Sequence, residues 1–428
     1  MIPLILPFVT ILIQLDYNSN ELHLWRDQIG IKPLYYCVQN DTFIFASEIK
    51  AIYSVLDRKP NISFSAVDDI LRYRFVDDNS TVFEGIKKVM PGEHIFYNGR
   101  TLEKEPYWEL QRNAPHVEKT EREKQAEVEE FRELFEMVIN QNLKSDTKGG
   151  FFTSGGLDSS LTTAASFQLG SRNFVQPISL KFMPKPVIDE QYGAMLEKYF
   201  NKDFEWAELS DEVARETLLK VTRFQDEPLE NPTHVGSYLM AERARELGIK
   251  VVITGDGSDE FFLGYERQAC WELYNDAKER YPSLNWTTSV ADANFLYNNL
   301  AKDILRDKKY TAEQAQNMDE ALIYERGFRL PEYHANRLDR MTMAHSIEAR
   351  VPWVKRFADV AALVFGYIQY RLYRHEPVTA NLLHFNVHQM AYFRQCGCVV
   401  IAGLEIVAVP REKGYNEGDF LYAWYSRN

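Results

Sequence analysis

A glycine pair set among serines, Ser154-Gly155-Gly156-Leu157-Asp158-Ser159-Ser160, constrains this chain more than any other stretch. It follows the short apolar run Phe151-Phe152-Thr153 and leads into Leu161-Thr162-Thr163-Ala164-Ala165. That order predicts a strand, a tight turn and a helix N-terminus. Adjacent glycines permit positive φ and let backbone approach a ligand closely. Serine hydroxyls and the first free helix amides then point at one spot, where the helix dipole favours an anion. Asp158 at the mouth of an anion site needs a cation beside the anion, so the stretch reads as a site for phosphate plus magnesium. The plain alternative is a Gly-Gly turn followed by a Ser/Asp helix cap.

Around this stretch the pattern alternates. Strands are expected at Val175–Phe182 and Lys250–Thr254, with helices at Glu190–Phe200 and His234–Leu247 between them. Such alternation argues for an α/β fold, a parallel sheet flanked by helices. A helix ahead of the loop presents Val128, Phe131, Leu134, Phe135 and Val138 on one face. A second glycine turn follows Val251-Val252-Ile253 and carries acids: Thr254-Gly255-Asp256-Gly257-Ser258-Asp259-Glu260. Three carboxylates in five residues repel one another unless a metal or a cationic group sits between them. A solvated acidic turn is the ordinary reading. The position at the carboxyl end of a sheet strand, where open α/β folds bind ligands, favours a functional one. Trp271–Arg329 is polar, aromatic and mostly helical in pattern.

Upstream the signals are β-rich. Ile11–Tyr17 and Glu21–Trp25 flank Asn18-Ser19-Asn20 as a hairpin, and Leu34–Val38 and Thr42–Ala46 flank Gln39-Asn40-Asp41 in the same way. The polar stretch Asn113–Lys124 reads as a linker. Met1–Leu15 is apolar, but without Lys or Arg it lacks the basic start of a signal peptide, and it is too short for a membrane span. A buried strand over Phe8–Tyr17 is the preferred reading. Net charge is −13, from 49 Lys plus Arg against 62 Asp plus Glu, which argues against a nucleic-acid partner. Four cysteines in 428 residues make no disulfide framework, so a reducing cytoplasm is expected.

The serine–glycine loop resembles the pyrophosphate-binding loop of ATP pyrophosphatases, and it lacks the Gly-Lys-Ser/Thr ending of a Walker loop. With the acidic turn, the chain resembles the asparagine synthetase family. Further matches are Arg26–Tyr36, Phe45–Lys50, Thr81–Ile86, Pro91–His94, Tyr107-Trp108 and Asp339–Trp353. The resemblance implies an ATP-pyrophosphatase-type α/β domain over residues 116–365, preceded over 1–115 by a β-rich part of a class II glutamine amidotransferase domain, with 366–428 unassigned. It implies that Ser154, Gly155, Gly156, Asp158, Ser159 and Ser160 hold pyrophosphate. Thr153, Leu180, Thr254 and Gly255 would contact adenosine, and Asp158 and Asp259 would bind Mg2+. Asp256 stands where the family has a catalytic glutamate, so a carboxylate is kept one methylene shorter. Glu348 and Arg350 fit a buried ion pair shaping the substrate site, with Asp339 nearby in the same signature. A purely structural pair fits them equally well.

The implied activity is ATP-dependent amide formation: adenylation of a carboxylate, with the aspartate side chain expected, then displacement of AMP by ammonia or another amine. The family's N-terminal cysteine and its Asn-Gly-Glu segment are missing, so no glutaminase activity is expected of this polypeptide. Partners are then small molecules, with no nucleic acid and no membrane. β-Lactam synthetase-type or lasso-peptide cyclase-type chemistry, and a nucleotide-binding pseudoenzyme or fragment, stand as alternatives. An incomplete β-layer is expected to expose apolar strand edges around Phe8–Leu15 and to favour pairing with another chain, for instance as a homodimer. Where the family continues Phe-Leu-Asp after Pro352, this chain has Trp353-Val354-Lys355. Lys413 does not match the family's tail lysine. His384, His388, Cys396 and Cys398 invite a zinc reading, but Cys-x-Cys fits the usual spacing poorly, and a short β-rich structural tail is preferred.

Overall fold

The computed structural model describes residues 11–16, 21–40, 42–76, 78–110, 119–171, 173–184, 188–229, 231–262, 264, 325–354, 397–402, 405–410 and 422–425. Its strands are β1 (Ile11–Asp16), β2 (Glu21–Arg26), β3 (Tyr35–Gln39), β4 (Thr42–Ala46), β5 (Lys87–Lys88), β6 (Glu93–Tyr97) and β7 (Leu102–Pro106). They continue with β8 (Gly149–Phe152), β9 (Phe174–Phe182), β10 (Glu205–Leu209), β11 (Val251–Ile253), β12 (Glu348–Arg350), β13 (Gly397–Ala402), β14 (Glu405–Pro410) and β15 (Tyr422–Tyr425). The α-helices are α1 (Ile49–Val55), α2 (Phe64–Tyr73), α3 (Glu121–Asn142), α4 (Leu157–Leu169) and α5 (Ile188–Phe200). After them come α6 (Asp211–Gln225), α7 (Thr233–Glu246), α8 (Ser258–Phe262) and α9 (Asn336–Met343), which is preceded by a π-type segment, Glu325–Ala335. The chain divides into two compact units, neither contiguous in sequence.

The first unit comprises Met1–Gln111, Asp211–Glu242 and Ile323–Glu348. Two antiparallel sheets, β1-β2-β6-β7 and β4-β3-β5, form its amino-terminal part. Both expected hairpins are present, with Asp16 opposite Glu21 and Gln39 opposite Thr42. Successive strand residues point to opposite faces, which explains the run Tyr35-Tyr36-Cys37, buried throughout. Tyr36 packs with Leu24, Leu34, Val89 and Ile95. Tyr35 and Cys37 pack the other way, against Ile49 and Ile52 of α1. The strand expected around Phe8–Tyr17 exists as β1 but is not buried. It is an edge strand with one neighbour, and Ile13 and Leu15 are 49% and 44% exposed.

Arg26 and Asp27 of the Arg26–Tyr36 motif are buried inside this unit. The Arg26 guanidinium donates to the carbonyls of Gly30, Lys32 and Val89 and meets Glu332 at 3.3 Å, while Lys88 meets the other Glu332 oxygen at 2.9 Å. Asp27 accepts the Ile31 and Lys32 amides and so shapes the turn between β2 and β3. Asp226, just past α6, meets Lys50 at 2.9 Å and Arg340 at 3.2 Å.

The second unit comprises Arg112–Ser210, Arg243–Leu322 and Ala349–Asn428. Its main sheet has the order β10-β9-β8-β11-β12, with parallel pairing along β10-β9-β8-β11. Strand β10 is an element that the sequence pattern did not reveal, as is helix α6 in the first unit. The residues read as a linker include the start of α3: Thr120 and Glu123 form a capping box, so the polar stretch opens a helix. Val128, Phe131, Phe135 and Val138 are its buried face. The tail strands form a separate sheet, β14-β13-β15, in line with a β-rich tail. His384, His388, Cys396, Lys413 and most of Trp271–Arg329 lie outside the described residues. Among the described residues no helix is long and apolar enough to cross a membrane.

Candidate active site

Counted from β8, the sheet order is third, second, first, fourth, fifth, so the winding reverses between β8 and β11. Open parallel sheets bind ligands at the carboxyl ends of the strands at such a switch point. The serine–glycine loop leaves β8 there, and the acidic turn leaves β11 beside it.

Thr153 directly follows β8, its amide donating to the Ile178 carbonyl at 2.9 Å and its hydroxyl paired with that of Thr163 at 2.8 Å. Thr153 is fully buried. The chain then turns at Gly155, φ +95°, where a Cβ would collide with the Asp189 carbonyl and stand 2.9 Å from the Gly193 nitrogen of α5. Gly156 is ordinary extended backbone at φ −64°, ψ 162°, so only the first glycine supplies left-handed freedom.

The serines hold the loop rather than cap the helix. Ser154 Oγ accepts the Gly156 amide at 3.1 Å, and Ser159 Oγ accepts the Ser154 amide at 3.1 Å and donates to the Gly156 carbonyl at 3.2 Å. Gly156 is the N-cap, and no side chain caps α4. The Ser/Asp cap reading is thereby corrected: the first-turn amides keep the anion-binding character of an uncapped N-terminus. The Ser160 hydroxyl is buried with no hydrogen-bond partner.

The acidic turn presses directly on this loop. A Cβ on Gly255 would stand 2.6 Å from the Ser159 nitrogen, so only glycine lets the two turns meet. Thr254 donates its amide to the Arg350 carbonyl at 3.0 Å and receives the Asp256 amide on its hydroxyl at 3.4 Å. Asp158 is the electrostatic centre. Loss of water around its carboxyl, helped by repulsion from Glu260 and Asp256, pushes its pKa up to about 7 against a hydrogen bond from Ser258. Glu260 is almost fully buried, and Asp259 lies against Gly264. The sequence counted Glu260 among the three acids of this turn but gave it no role, and it gave Ser258 none.

A carboxylate crowded by other acids, with its pKa raised as at Asp158, is what hard oxygen donors give without their cation. Among the described residues no three His, Cys, Asp or Glu side chains converge as a ready-made metal cage. Mg2+ does not require one, since it takes one or two carboxylates and completes its shell with water and phosphate oxygens. The donor set therefore fits that ion.

Leu180 lies on β9 opposite Ala207, two residues past the Phe152–Ile178 pairing, at the carboxyl end of the sheet. Neither Glu348 nor Arg350 is fully buried, a correction to the buried pair expected from sequence. The strand alternates, sending Ala349 inward and leaving Glu348 exposed. Arg350 donates to the carbonyls of Asn142 at 2.6 Å and Lys144 at 2.7 Å. Asp339 is buried on α9 and paired with Lys32 at 2.5 Å.

Comparison with known proteins supports the same reading. The chain is 28% identical over 261 residues to a putative glutamine-hydrolyzing asparagine synthetase of Methanocaldococcus jannaschii, covering 58% of this chain and 48% of that protein. It is 26% identical over 403 residues to asparagine synthetase 1 of Bacillus subtilis, covering 82% and 61%. It is 29% identical over 269 residues to the amidase chry2 of Gibberella zeae, covering 59% and 39%. The chain thus spans about half the length of the curated relatives it matches. A glutamine amidotransferase domain matches residues 9–108, the region of the two antiparallel sheets. The asparagine synthase family model matches residues 130–365, more than half the chain and the whole of the switch-point architecture. The fold is an ATP-pyrophosphatase-type α/β sheet preceded by part of a class II amidotransferase domain, and the chain belongs to the asparagine synthase family.

Proposed function

We propose that this protein is an AMP-forming amide ligase whose carboxylate substrate is the side chain of aspartate. One observation carries the reading: an uncapped helix N-terminus and a carboxylate cluster meet in backbone contact at the switch point of a parallel sheet. Amides pointing at one spot suit the pyrophosphate of ATP, and acids beside them suit its cation.

In the first step a carboxylate oxygen of the substrate attacks the α-phosphorus, and the bond to the β-phosphate oxygen breaks to release pyrophosphate. The α4 amides, Ser154 and Ser159 hold the leaving group, and backbone at Thr153, Leu180, Thr254 and Gly255 lines the nucleotide side. Asp158 and Asp259 would hold Mg2+, which when bound offsets the charge growing on pyrophosphate. Asp256, which stands where the resemblance puts a catalytic carboxylate, is assigned to the reacting end. In the second step ammonia attacks the activated carbonyl, loses a proton and expels AMP, giving asparagine.

The test supplies ATP, Mg2+, aspartate and ammonia and measures pyrophosphate and asparagine together. Equimolar formation is expected, and Asp158→Ala should lower it at least ~100-fold, as loss of a main electrostatic contact does. Pyrophosphate without asparagine would assign another acceptor. ATP binding with no pyrophosphate under any acceptor would sink the ligase reading.

A further inference from the structure

Directly after Pro352 the chain carries Trp353 and Val354, and the structure shows what they build. Trp353 and Val354 are 3% and 4% exposed. The Trp353 ring lies 4.8 Å from Phe135 of α3 and edge-on at 5.5 Å to Phe262 of α8, the helix that carries Asp259 and Glu260. Val354 packs onto Gly257 of the acidic turn, held at φ +95°. The Trp353 indole N–H donates to Thr162 Oγ1 at 2.9 Å, and Thr162 donates in turn to the Asp158 carbonyl at 2.8 Å.

We infer that Trp353 is a positioning residue that ties the backbone of Asp158 to the acidic turn through Thr162. A phenylalanine would fill much of the same space without the donor. In a dry site a chain of hydrogen bonds polarises its members and fixes the carbonyl at its end. A displacement of a few tenths of an ångström at Asp158 would then reach the group on which phosphate and cation converge. A buried tryptophan also needs a partner for its N–H simply to be stable. The experiment has to separate these two roles.

This inference rests on the ligase reading. Trp353→Phe, Thr162→Val, their combination and Thr162→Ser are made in the full chain. Pyrophosphate release at saturating ATP, Mg2+, aspartate and ammonia is measured beside thermal midpoints and the Kd for ATP with Mg2+. Trp353→Phe and Thr162→Val should each slow release about tenfold, a size typical of slight misplacement, with midpoints near wild type. The double variant should be no slower than the slower single, because both break one link. Thr162→Ser keeps the hydroxyl and should retain the wild-type rate. A wild-type rate in Trp353→Phe, additive losses in the double, or no rescue by serine would overturn the inference. If Trp353→Phe does not fold, the contrast between Thr162→Val and Thr162→Ser decides alone. Should wild type release no pyrophosphate, the ligase reading fails. The link is then judged on the Kd for ATP, where equal values in all proteins would refute it.

Discussion

At the scale of single residues, function in this site is a matter of protons and water. Asp158 has its pKa raised to about 7 by burial and by Glu260 and Asp256. A raised pKa stabilises the fold fully below the ordinary carboxyl value, and that contribution is lost as pH rises through about 7. The cation-free protein should therefore lose stability between pH 4 and 7 in a way that Asp158→Asn flattens, seen in urea unfolding across pH. Mg2+ needs the ionised carboxyl, so binding Mg2+ with ATP at pH 6.5 should release a proton. Calorimetry in two buffers of different ionisation enthalpy reads that release, and no buffer dependence would refute it. His234 has the opposite sign. Burial lowers its pKa from 6.5 to about 4 while it hydrogen-bonds the Asn231 carbonyl at 2.8 Å. Its stabilisation is complete above pH 6.5 and lost as pH falls toward 4, so His234→Asn should show a shallower acid transition. The carboxylates were legible from their spacing. The role of Ser258 and the burial of Glu260 emerged only with the structure, because residue type does not reveal which acid loses its water.

Secondary elements explain why the loop has its shape. The loop between β8 and α4 is held by two serines and one left-handed glycine, so its cost is concentrated at Gly155. Gly155→Ala should cost ~1–3 kcal/mol of stability from backbone strain alone, and more as the Asp189 carbonyl is displaced. Urea unfolding measures it, and a change below ~0.5 kcal/mol would show that the loop adapts. At the start of α3, Thr120→Ala should cost ~1 kcal/mol by removing the capping box. Strong period was readable: β9, α3, α5 and α7 lie close to where their patterns placed them. Weak period was not. Glu205-Trp206-Ala207-Glu208-Leu209 is a strand because β9 offers it a parallel partner, not because its own pattern demands one.

Over the whole molecule, charge burial is the device that the motifs conceal. Arg26, Lys32 and Lys88 look like surface residues in sequence, yet they lie against Glu332 and Asp339 inside the first unit. Glu332 is the hub, its pKa held below the ordinary carboxylate value by Lys88 and Arg26 against the cost of burial. Glu332→Gln removes the carboxylate in direct contact with two buried cations, Arg26 and Lys88, and should destabilise the protein by ~3–5 kcal/mol. A loss under ~1 kcal/mol, the scale of an exposed pair, would refute that account. By itself the sequence determined the local grammar: two glycine turns after apolar strands, hairpins upstream, and the motif order that marks the family. It did so because φ freedom, side-chain alternation and helix-dipole chemistry act within a few residues. Only the tertiary structure decided which first strand lies beside which fourth, and hence that the two turns touch at Gly255. Only it decided that Glu348 faces solvent, that β1 is an edge, and that Trp353 reaches Thr162. Those outcomes depend on pairing and desolvation between residues up to 191 apart in the chain, which no local pattern encodes.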